Sequence, residues 1–288
     1  MAYPWGDDRR YNSYSGYFRR LFGFRVQKLS VHAGFTCPNR DGTLSSGGCT
    51  FCDNAAFSPS YCTPDKSVRR QLEEGIEFHR RRYRSAERYL AYFQSFSNTY
   101  APLERLKEVF SQAFELPEVA GIVVGTRPDC IDGPKLDYFA RLAETRYVAI
   151  EYGIESCYDA TLRSAHFLLG LPGQTPAMME ASFYAINSLA LDTVKFHQLQ
   201  LFRGTTMAAQ YAADPGRFRF FSRDEYVDFF IGLLERLRPD LVVERFASEA
   251  PPRFQAGPTW GLVRNEQLWS LLERRLEQRG TWQGRLYV

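Results

Sequence analysis

The chain alternates short apolar segments typical of β-strands with segments typical of helices over most of its 288 residues. The predicted strands, in chain order, are Arg25–Ala33, Tyr89–Phe96, Val119–Gly125, Tyr147–Ile154, His166–Leu171 and Val194–Phe202. The predicted helices are Val68–Arg82, Pro102–Phe114, Pro134–Glu144 and Ala177–Leu189, the last with Thr175 as its cap and Pro176 in its first turn. This order predicts an α/β fold in which a parallel sheet with helical crossovers closes fully or partly into a barrel.

The final third of the chain carries its own helix signals. Ser222 and Glu225 have the spacing of a capping box. The elements predicted there are a helix at Arg223–Arg238, a strand at Leu241–Phe246 and a last helix capped by Asn265, with Leu268, Trp269, Leu272 and Leu276 on one apolar face. We therefore predict a barrel over residues 1–205 and a C-terminal α/β extension, packed on it, over residues 206–288.

One predicted crossover is too short for the barrel scheme. Ser156 to Ala165 is all that separates the fourth predicted strand from the fifth. A parallel crossover usually needs a dozen or more residues, most of them helical. The fourth crossover helix is therefore predicted to be shortened or missing, with a loop or one distorted turn in its place and lower stability than in longer relatives.

Composition and charge exclude few function classes. The net charge is +3, with an isoelectric point near 8.5, which permits an acidic or nucleic-acid partner without requiring one. No apolar run approaches the length of a membrane span. The start, MAYPWGDDRR, lacks the pattern of a signal peptide. We expect a cytoplasmic protein without a membrane partner, whose cysteines stay reduced.

Three clustered cysteines indicate a metal centre. Cys37, Cys49 and Cys52 lie in CPNRDGTLSSGGCTFC, whose glycines let the backbone fold closely around a bound group. Three thiolates leave one iron of a [4Fe–4S] cluster without a protein ligand, and that iron can bind an outside ligand. A structural zinc site completed by His32 or His79 is the alternative. The other cysteines, Cys62, Cys130 and Cys157, are interpreted as ordinary buried thiols.

Polar residues follow several predicted strands, where barrel enzymes place their sites. Gln94, Asn98 and Thr99 end the second strand, although a solvated loop would read the same way. Arg127 follows the third strand and could bind a carboxylate or form an internal ion pair with Asp129 or Glu155.

Charged residues also lie within the predicted strands. Glu151 and Glu155 share one face of their strand and need partners, for which Arg127 and Lys195 are nearest by topology. Lys195 and His197 could reach a substrate as catalytic residues, with satisfied core side chains as the alternative.

The motifs together resemble the YhcC/YtqA-like family of radical S-adenosylmethionine (SAM) proteins, related to the radical domain of the elongator catalytic subunit. The segments that carry the resemblance are AGFTCPNRDG, GGCTFC, AYFQSFSNTYAP, GTRPDCI, EYGIES, HFLLGLPGQT, VKFHQLQLFRGT and TWQG. The resemblance implies a partial (β/α)6 TIM-like barrel, a [4Fe–4S] cluster on Cys37, Cys49 and Cys52, and reductive cleavage of SAM. It implies SAM contacts at Phe51, Gln94, Asn98, Thr99, Arg127, Glu155 and Gly170.

The resemblance also suggests a substrate and a partner. It points to tRNA modification, at a wobble-uridine side chain, with electrons from a donor such as flavodoxin or ferredoxin. Basic residues agree with an RNA partner, or else form a solvated helix end; they are Arg19, Arg20, Lys28, Arg80, Arg81, Arg82 and Arg84. The alternatives are a radical SAM enzyme acting on a small metabolite or peptide, and a non-catalytic, metal-stabilised RNA-binding protein.

Overall fold

A computed structural model describes residues 2–53, 56–82, 86–155 and 164–288. The described strands are β1 Val26–Val31, β2 Arg88–Phe93, β3 Val119–Thr126, β4 Tyr147–Glu155, β5 Ser164–Leu169, β6 Thr193–Gln198 and β7 Val242–Arg245. The described α-helices are α1 Tyr14–Phe22, α2 Val68–Arg82, α3 Leu103–Ser111, α4 Gly133–Ala143, α5 Pro176–Ser188, α6 Thr206–Ala213, α7 Arg223–Leu234 and α8 Asn265–Gln278. Every described strand pairing is parallel, as the β/α order predicts.

The chain divides into two compact units. The N-terminal unit consists of the described residues of Phe18–Cys49 and Phe57–Gly153. The C-terminal unit consists of the described residues of Met1–Tyr17, Thr50–Ala56 and Ile154–Val288. The predicted boundary at residue 205 stays a prediction.

The N-terminal unit is built on four parallel strands in the order β1-β2-β3-β4. Helices α2, α3 and α4 follow β1, β2 and β3 and cover the sheet. The core that they share contains large apolar side chains from both layers, including Leu29, Leu72, Tyr89, Phe93, Phe110, Ile122, Val124 and Phe139. Strands β3 and β4 approach closely at Gly121, where a Cβ atom would lie 2.1 Å from the backbone oxygen of Tyr147. Only glycine permits this pairing.

The C-terminal unit contains three parallel strands in the order β5-β6-β7. Helix α5 follows β5, and α6 and α7 follow β6. An aromatic core forms where Phe183 of α5 stacks on Phe196 of β6 at 4.6 Å, and Phe230 of α7 meets Phe196 edge-on. The hydroxyl of Tyr226, a fully buried residue of α7, donates to the backbone oxygen of Phe246. This hydrogen bond compensates for the loss of water at the buried hydroxyl.

Several sequence signals are confirmed in detail. Helix α2 has the predicted bounds, and Thr175 caps α5 by accepting from the backbone nitrogen of Met178. The capping box of α7 is present, with the Ser222 nitrogen donating to Glu225 at 2.8 Å and the Glu225 nitrogen donating to the Ser222 hydroxyl at 3.3 Å.

Other element predictions are corrected. Helix α8 starts at Asn265, so the cap is Arg264, whose backbone nitrogen donates to the Gln267 side chain at 2.9 Å. Strand β6 ends at Gln198, four residues before the predicted end. Helices α1 and α6 were not predicted. Of the four residues predicted on the apolar face of α8, three leucines are buried, whereas Trp269 is half-buried and stacks on Tyr11 at 4.7 Å.

The short fourth crossover concerns residues 156–163, which lie outside the described residues, so its predicted conformation stays a prediction. No helix among the described residues combines the length and the apolar character that crossing a membrane requires.

Candidate functional site

The cysteine loop leaves β1 and begins with a tight turn at Cys37. The Cys37 carbonyl accepts from the backbone nitrogens of Arg40 and Asp41, at 2.8 and 3.2 Å, and the Gly48 nitrogen donates back to the Asn39 carbonyl at 2.8 Å. Gly48 has a φ of +91°, and a Cβ atom there would lie 2.9 Å from the Arg40 side chain. Glycine at this position lets the loop double back, which brings Cys49 to the amide of Asn39.

Two thiols of this loop already have hydrogen-bond partners. The Asn39 side-chain nitrogen donates to Cys49 Sγ at 3.3 Å. Cys37 Sγ lies 2.9 Å from the Ser97 hydroxyl, which follows β2. Thiolates bound to iron usually accept hydrogen bonds from nearby groups, and such bonds stabilise the thiolate form.

The cysteines differ in their exposure. Cys37, Cys49 and Cys52 are half-buried, whereas Cys62 and Cys130 are buried, and none of these five forms a disulfide. Burial raises the pKa of both the Cys62 and the Cys130 thiol to about 11. They therefore stay protonated and poorly reactive at neutral pH, as predicted for structural thiols. Cys157 lies outside the described residues.

The donor set fits a [4Fe–4S] cluster in its chemistry, since it offers three half-buried thiols, and hydrogen-bond partners of Cys37 and Cys49 are in place. No group of three or more His, Cys, Asp and Glu side chains placed to hold a metal ion is found in the described part of the chain. His32, one of the two histidines considered for zinc, accepts at Nδ1 from the Gly34 nitrogen. The assignment of the three cysteines to the cluster thus stays a prediction.

The C-terminal end of the cysteine motif belongs to the C-terminal unit and is anchored there. The Thr50 carbonyl accepts from the Met207 nitrogen, in the first turn of α6, at 2.9 Å. Phe51 packs against an apolar cluster centred on Leu199, Leu201 and Met207. The aromatic residue between the last two cysteines therefore packs against the core of this unit, and its role towards SAM stays a prediction.

The residues that follow β2 tie that strand to β3. Asn98 is fully buried, and its side-chain nitrogen donates to the carbonyls of Phe93 and Gly125 at 3.0 and 2.9 Å. Thr99 donates to the Cys130 carbonyl at 2.7 Å and therefore accepts from Thr126 at 2.6 Å. Gln94 is half-buried and accepts from the Ser30 hydroxyl at 3.4 Å. Asn98 and Thr99 hold the loop, and contacts of all three residues with SAM stay predictions.

Arg127 forms the internal ion pair that was one of its two predicted readings. Its guanidinium donates two parallel hydrogen bonds to the Asp129 carboxylate, at 2.8 and 2.7 Å. These bonds raise the pKa of Arg127 and lower the pKa of Asp129. Arg127 is therefore fixed in orientation, with its charge largely neutralised before any ligand binds.

Glu151 has a partner that the sequence did not indicate. Glu151, 2% exposed, pairs with Lys28 of β1 at 2.5 Å, and its predicted pairing with Arg127 or Lys195 stays a prediction. Strands β1 and β4 would lie about 14 Å apart in a flat four-stranded sheet, and strand side chains stand roughly perpendicular to it. The pair therefore shows that this sheet is curved, with both residues on its concave face. Lys28 consequently does not belong to the basic surface.

The two candidate catalytic residues lie on β6. Lys195, 1% exposed, pairs with Glu244 of β7 at 3.0 Å. His197 is half-buried, with its ring centre 5.7 Å from that of His166 on β5. Lys195 thus has the structural role given as its alternative, and catalysis by either residue stays a prediction.

Two further predicted SAM residues are Glu155, the last residue of β4, and Gly170, which follows β5. Gly170 has a φ of +96°, and a Cβ atom there would meet the Arg219 carbonyl at 3.2 Å. Its nitrogen donates to the Gln174 side chain at 2.9 Å, which shapes the turn after β5. The side chain of Glu155 lies outside the described residues. Both SAM contacts stay predictions.

Sequence reasoning missed three contacts of the predicted site residues. Ser97 contacts Cys37, Lys28 pairs with Glu151, and Glu244 pairs with Lys195. A cleft beyond the ends of β5 and β6 was missed as well; its walls include Gln198, Arg219, Phe221, Glu249 and Trp260. No local pattern in the sequence indicates which residues these side chains contact. The only signal for them was the general need of buried charges for partners.

Known proteins similar to this chain agree with the motifs. The family model of the Radical_SAM C-terminal domain matches residues 191–278. The chain is 33% identical to the uncharacterised protein YtqA of Bacillus subtilis, with 97% of this chain and 94% of YtqA covered. It is 30% identical to protein YhcC of Escherichia coli, with 86% and 87% covered. The alignment with YtqA spans 310 positions, more than this chain has, so YtqA contains residues without a counterpart here.

A solved structure shares the fold. An archaeal Elp3 from Methanocaldococcus infernus superposes with a TM-score of 0.62 at 15% identity, covering 90% of this chain and 64% of that chain. This chain thus spans less than two thirds of Elp3, and the likeness establishes the fold, which confirms the predicted α/β partial-barrel class. Together with the full-length similarity to YtqA, these findings establish that the chain belongs to the YhcC/YtqA family of radical SAM proteins.

Proposed function

We propose that the protein is a radical SAM enzyme in which Cys37, Cys49 and Cys52 hold a [4Fe–4S] cluster and leave one iron for SAM. The observation that carries this proposal is the loop itself: it has three half-buried cysteines with the family spacing, Cys49 accepts a hydrogen bond from Asn39, and Cys37 lies 2.9 Å from the Ser97 hydroxyl. Membership of the radical SAM family and the shared fold support it.

When bound and reduced, such a cluster supplies one electron to SAM, whose cleavage yields methionine and the 5′-deoxyadenosyl radical that takes hydrogen from a substrate. The protein contributes positioning and exclusion of water. Ser97 and Asn39 orient two of the thiols. Thr50 and Phe51 are held by α6, and Arg127 is held by Asp129. Lys195 is held by Glu244 at 3.0 Å.

The experiment compares two cysteine variants after anaerobic reconstitution. Cys49→Ala should lose the cluster absorbance and the reductive formation of 5′-deoxyadenosine. Cys62→Ala is the matched control, since it removes a buried thiol outside the motif, and it should keep both. A wild-type protein that holds iron and sulfide in cluster ratio but forms no 5′-deoxyadenosine with SAM and reductant would contradict the proposal.

We propose tRNA as the substrate, at a wobble-uridine side chain. The resemblance to the elongator catalytic subunit supports this, and so do exposed arginines on α1 and α2, among them Arg19, Arg20 and Arg80. Arg81 contributes less, because it pairs with Glu77 at 2.6 Å. The side chain of Arg82 and all of Arg84 lie outside the described residues.

Two measurements test this substrate. Binding to bulk tRNA should weaken steeply as salt rises, and less steeply for Arg19→Ala/Arg20→Ala, while Arg105→Ala, an arginine paired with Glu108 on α3, should behave as wild type. Nucleosides from a deletion strain should lack one modified uridine. An unchanged nucleoside profile would favour a small metabolite or a peptide as the substrate.

We further propose that a flavodoxin or ferredoxin in the cytoplasm reduces the cluster. Reduced flavodoxin should then support 5′-deoxyadenosine formation at a rate comparable to that with a chemical reductant. Formation with the chemical reductant alone would contradict this choice of electron donor.

A further inference from the structure

We propose that Ser97 is a positioning residue for the cluster, whose hydroxyl donates a hydrogen bond to the Cys37 sulfur and so raises the reduction potential of the cluster. The inference deepens the proposed function and rests on it, since it concerns the ligand sphere of that same cluster. The inference goes beyond the proposed function because it assigns a role to a residue outside the cysteine motif.

The contact between Ser97 and the cysteine loop has two points. The Ser97 hydroxyl lies 2.9 Å from Cys37 Sγ, and the Ser97 backbone nitrogen donates to the Thr36 carbonyl at 3.2 Å. Ser97 is 1% exposed, so water cannot replace the hydroxyl at this sulfur. A thiolate bound to iron has no proton to give, and therefore Ser97 must be the donor.

The loop that carries Ser97 is held in a costly conformation. Phe96 has a φ of +65°, the left-handed region that a bulky residue adopts rarely and only when its surroundings enforce it. Its ring meets the His32 ring edge-on at 5.5 Å and lies under the Arg40 guanidinium at 5.1 Å. Asn98 fixes the other side through the Phe93 and Gly125 carbonyls. The loop is thereby set before a cluster binds.

The Ser97 proton has a second acceptor within reach, the buried thiol of Cys130. A neutral thiol is a weak acceptor, whereas an iron-bound thiolate carries negative charge, and hydrogen bonds to charged acceptors are roughly twice as strong. The proton therefore goes to Cys37. Reduction adds negative charge to the cluster and its ligands, so the bond strengthens in the reduced state and the potential rises.

The test is a redox titration, followed by electron paramagnetic resonance, of reconstituted wild-type protein and three variants. Ser97→Ala should hold the cluster with a more negative midpoint potential. Ser97→Thr keeps a hydroxyl and should restore the potential towards the wild-type value. Ser95→Ala is the matched control: Ser95 is 2% exposed on the same loop, and no hydrogen bond joins it to Cys37 among the described residues. Its potential should be unchanged.

The outcomes separate the two proposals. A wild-type protein that binds no iron and sulfide would overturn the proposed function and this inference with it. A wild-type cluster with a Ser97→Ala potential equal to wild type would overturn the inference alone. If Ser97→Ala melts at the wild-type temperature but loads no cluster, while Ser97→Thr loads one, the positioning role is supported. If Ser97→Ala does not fold, Ser97→Thr decides, and a potential lowered in that variant would overturn the inference.

Discussion

Glu151→Gln is expected to destabilise the protein because it removes one charge of a buried ion pair without creating a cavity. The Lys28 side chain is 13% exposed and that of Glu151 is 2% exposed, and their charged atoms lie 2.5 Å apart. The Lys28 ammonium also lies 4.8 Å from the ring centre of Tyr92, an attraction that survives the substitution.

The geometry sets the magnitude. Two unit charges at this distance attract by about 7 kcal/mol at an effective dielectric constant of about 20. Desolvation offsets much of that, and breaking one half of a buried pair typically costs about 3–5 kcal/mol. We expect a loss of about 2–4 kcal/mol for Glu151→Gln, because Tyr92 and partial exposure still support Lys28. Lys28→Met should also destabilise the protein, since it takes one cation away from the buried carboxylate of Glu151.

The assay is a double-mutant cycle on the free energy of unfolding, with Glu104→Gln as the control. Glu104 pairs with Lys107 on the exposed face of α3 at 2.6 Å and should contribute about 0.5 kcal/mol or less. A loss of about 3 kcal/mol corresponds to a melting temperature lower by about 6–12 °C. The double variant should lose at least about 1 kcal/mol less than the sum of the single variants. Additive effects, or a Glu151→Gln loss no larger than that of the control, would refute the reasoning.

Three further predictions concern burial, close packing and capping. Burial raises the pKa of the Cys62 thiol to about 11, from about 8.5 in the unfolded chain. The free energy of unfolding should therefore fall as the pH rises from about 8.5 towards 11, because over this range only the unfolded chain releases the thiol proton. Cys62→Ala should make this fall shallower. Gly121→Ala drives a Cβ into Tyr147 and should cost about 3 kcal/mol or more, whereas Gly125→Ala, with its nearest atom at 3.1 Å, should cost clearly less; equal melting temperatures would contradict this. Thr175→Ala should lower the free energy of unfolding, measured with denaturant, by about 1 kcal/mol. An unchanged free energy would show that the cap of α5 does not stabilise the protein.

Local signals predicted most of the fold because they act over a few residues. Helix α2 and the capping box of α7 depend on spacing within one turn, which the sequence displays directly. Helices α1 and α6 are nine and eight residues long, too short to be stable without tertiary contacts. Helix α6, for example, begins where its Met207 nitrogen meets the Thr50 carbonyl, 157 positions earlier in the chain. No periodicity within the helix reports such a contact.

The candidate site was predictable only where its residues are consecutive. The cysteine loop carries its own glycines and its own Asn39–Cys49 hydrogen bond, so a motif could identify it. Ser97 reaches Cys37 across 60 positions, and Lys28 reaches Glu151 across 123. Which lysine meets which glutamate depends on the curvature of the sheet, which the sequence pattern does not encode. The polar ends of β2 and β3 were located correctly, and the Arg127–Asp129 pair was one of two predicted alternatives. The hydrogen bonds of Asn98 and Thr99 were not foreseen.

Two buried ion pairs join described strands to one another. Lys28 pairs with Glu151 in one unit, and Lys195 pairs with Glu244 in the other. The side chains of Lys195 and Glu244 are 2% and 9% exposed, and a charge buried to this degree is costly without its partner. The half-buried thiols of the cysteine loop are, by contrast, reachable by a ligand. This division is the one expected of a protein whose bound cofactor carries the chemistry, while its own side chains fix the geometry around it.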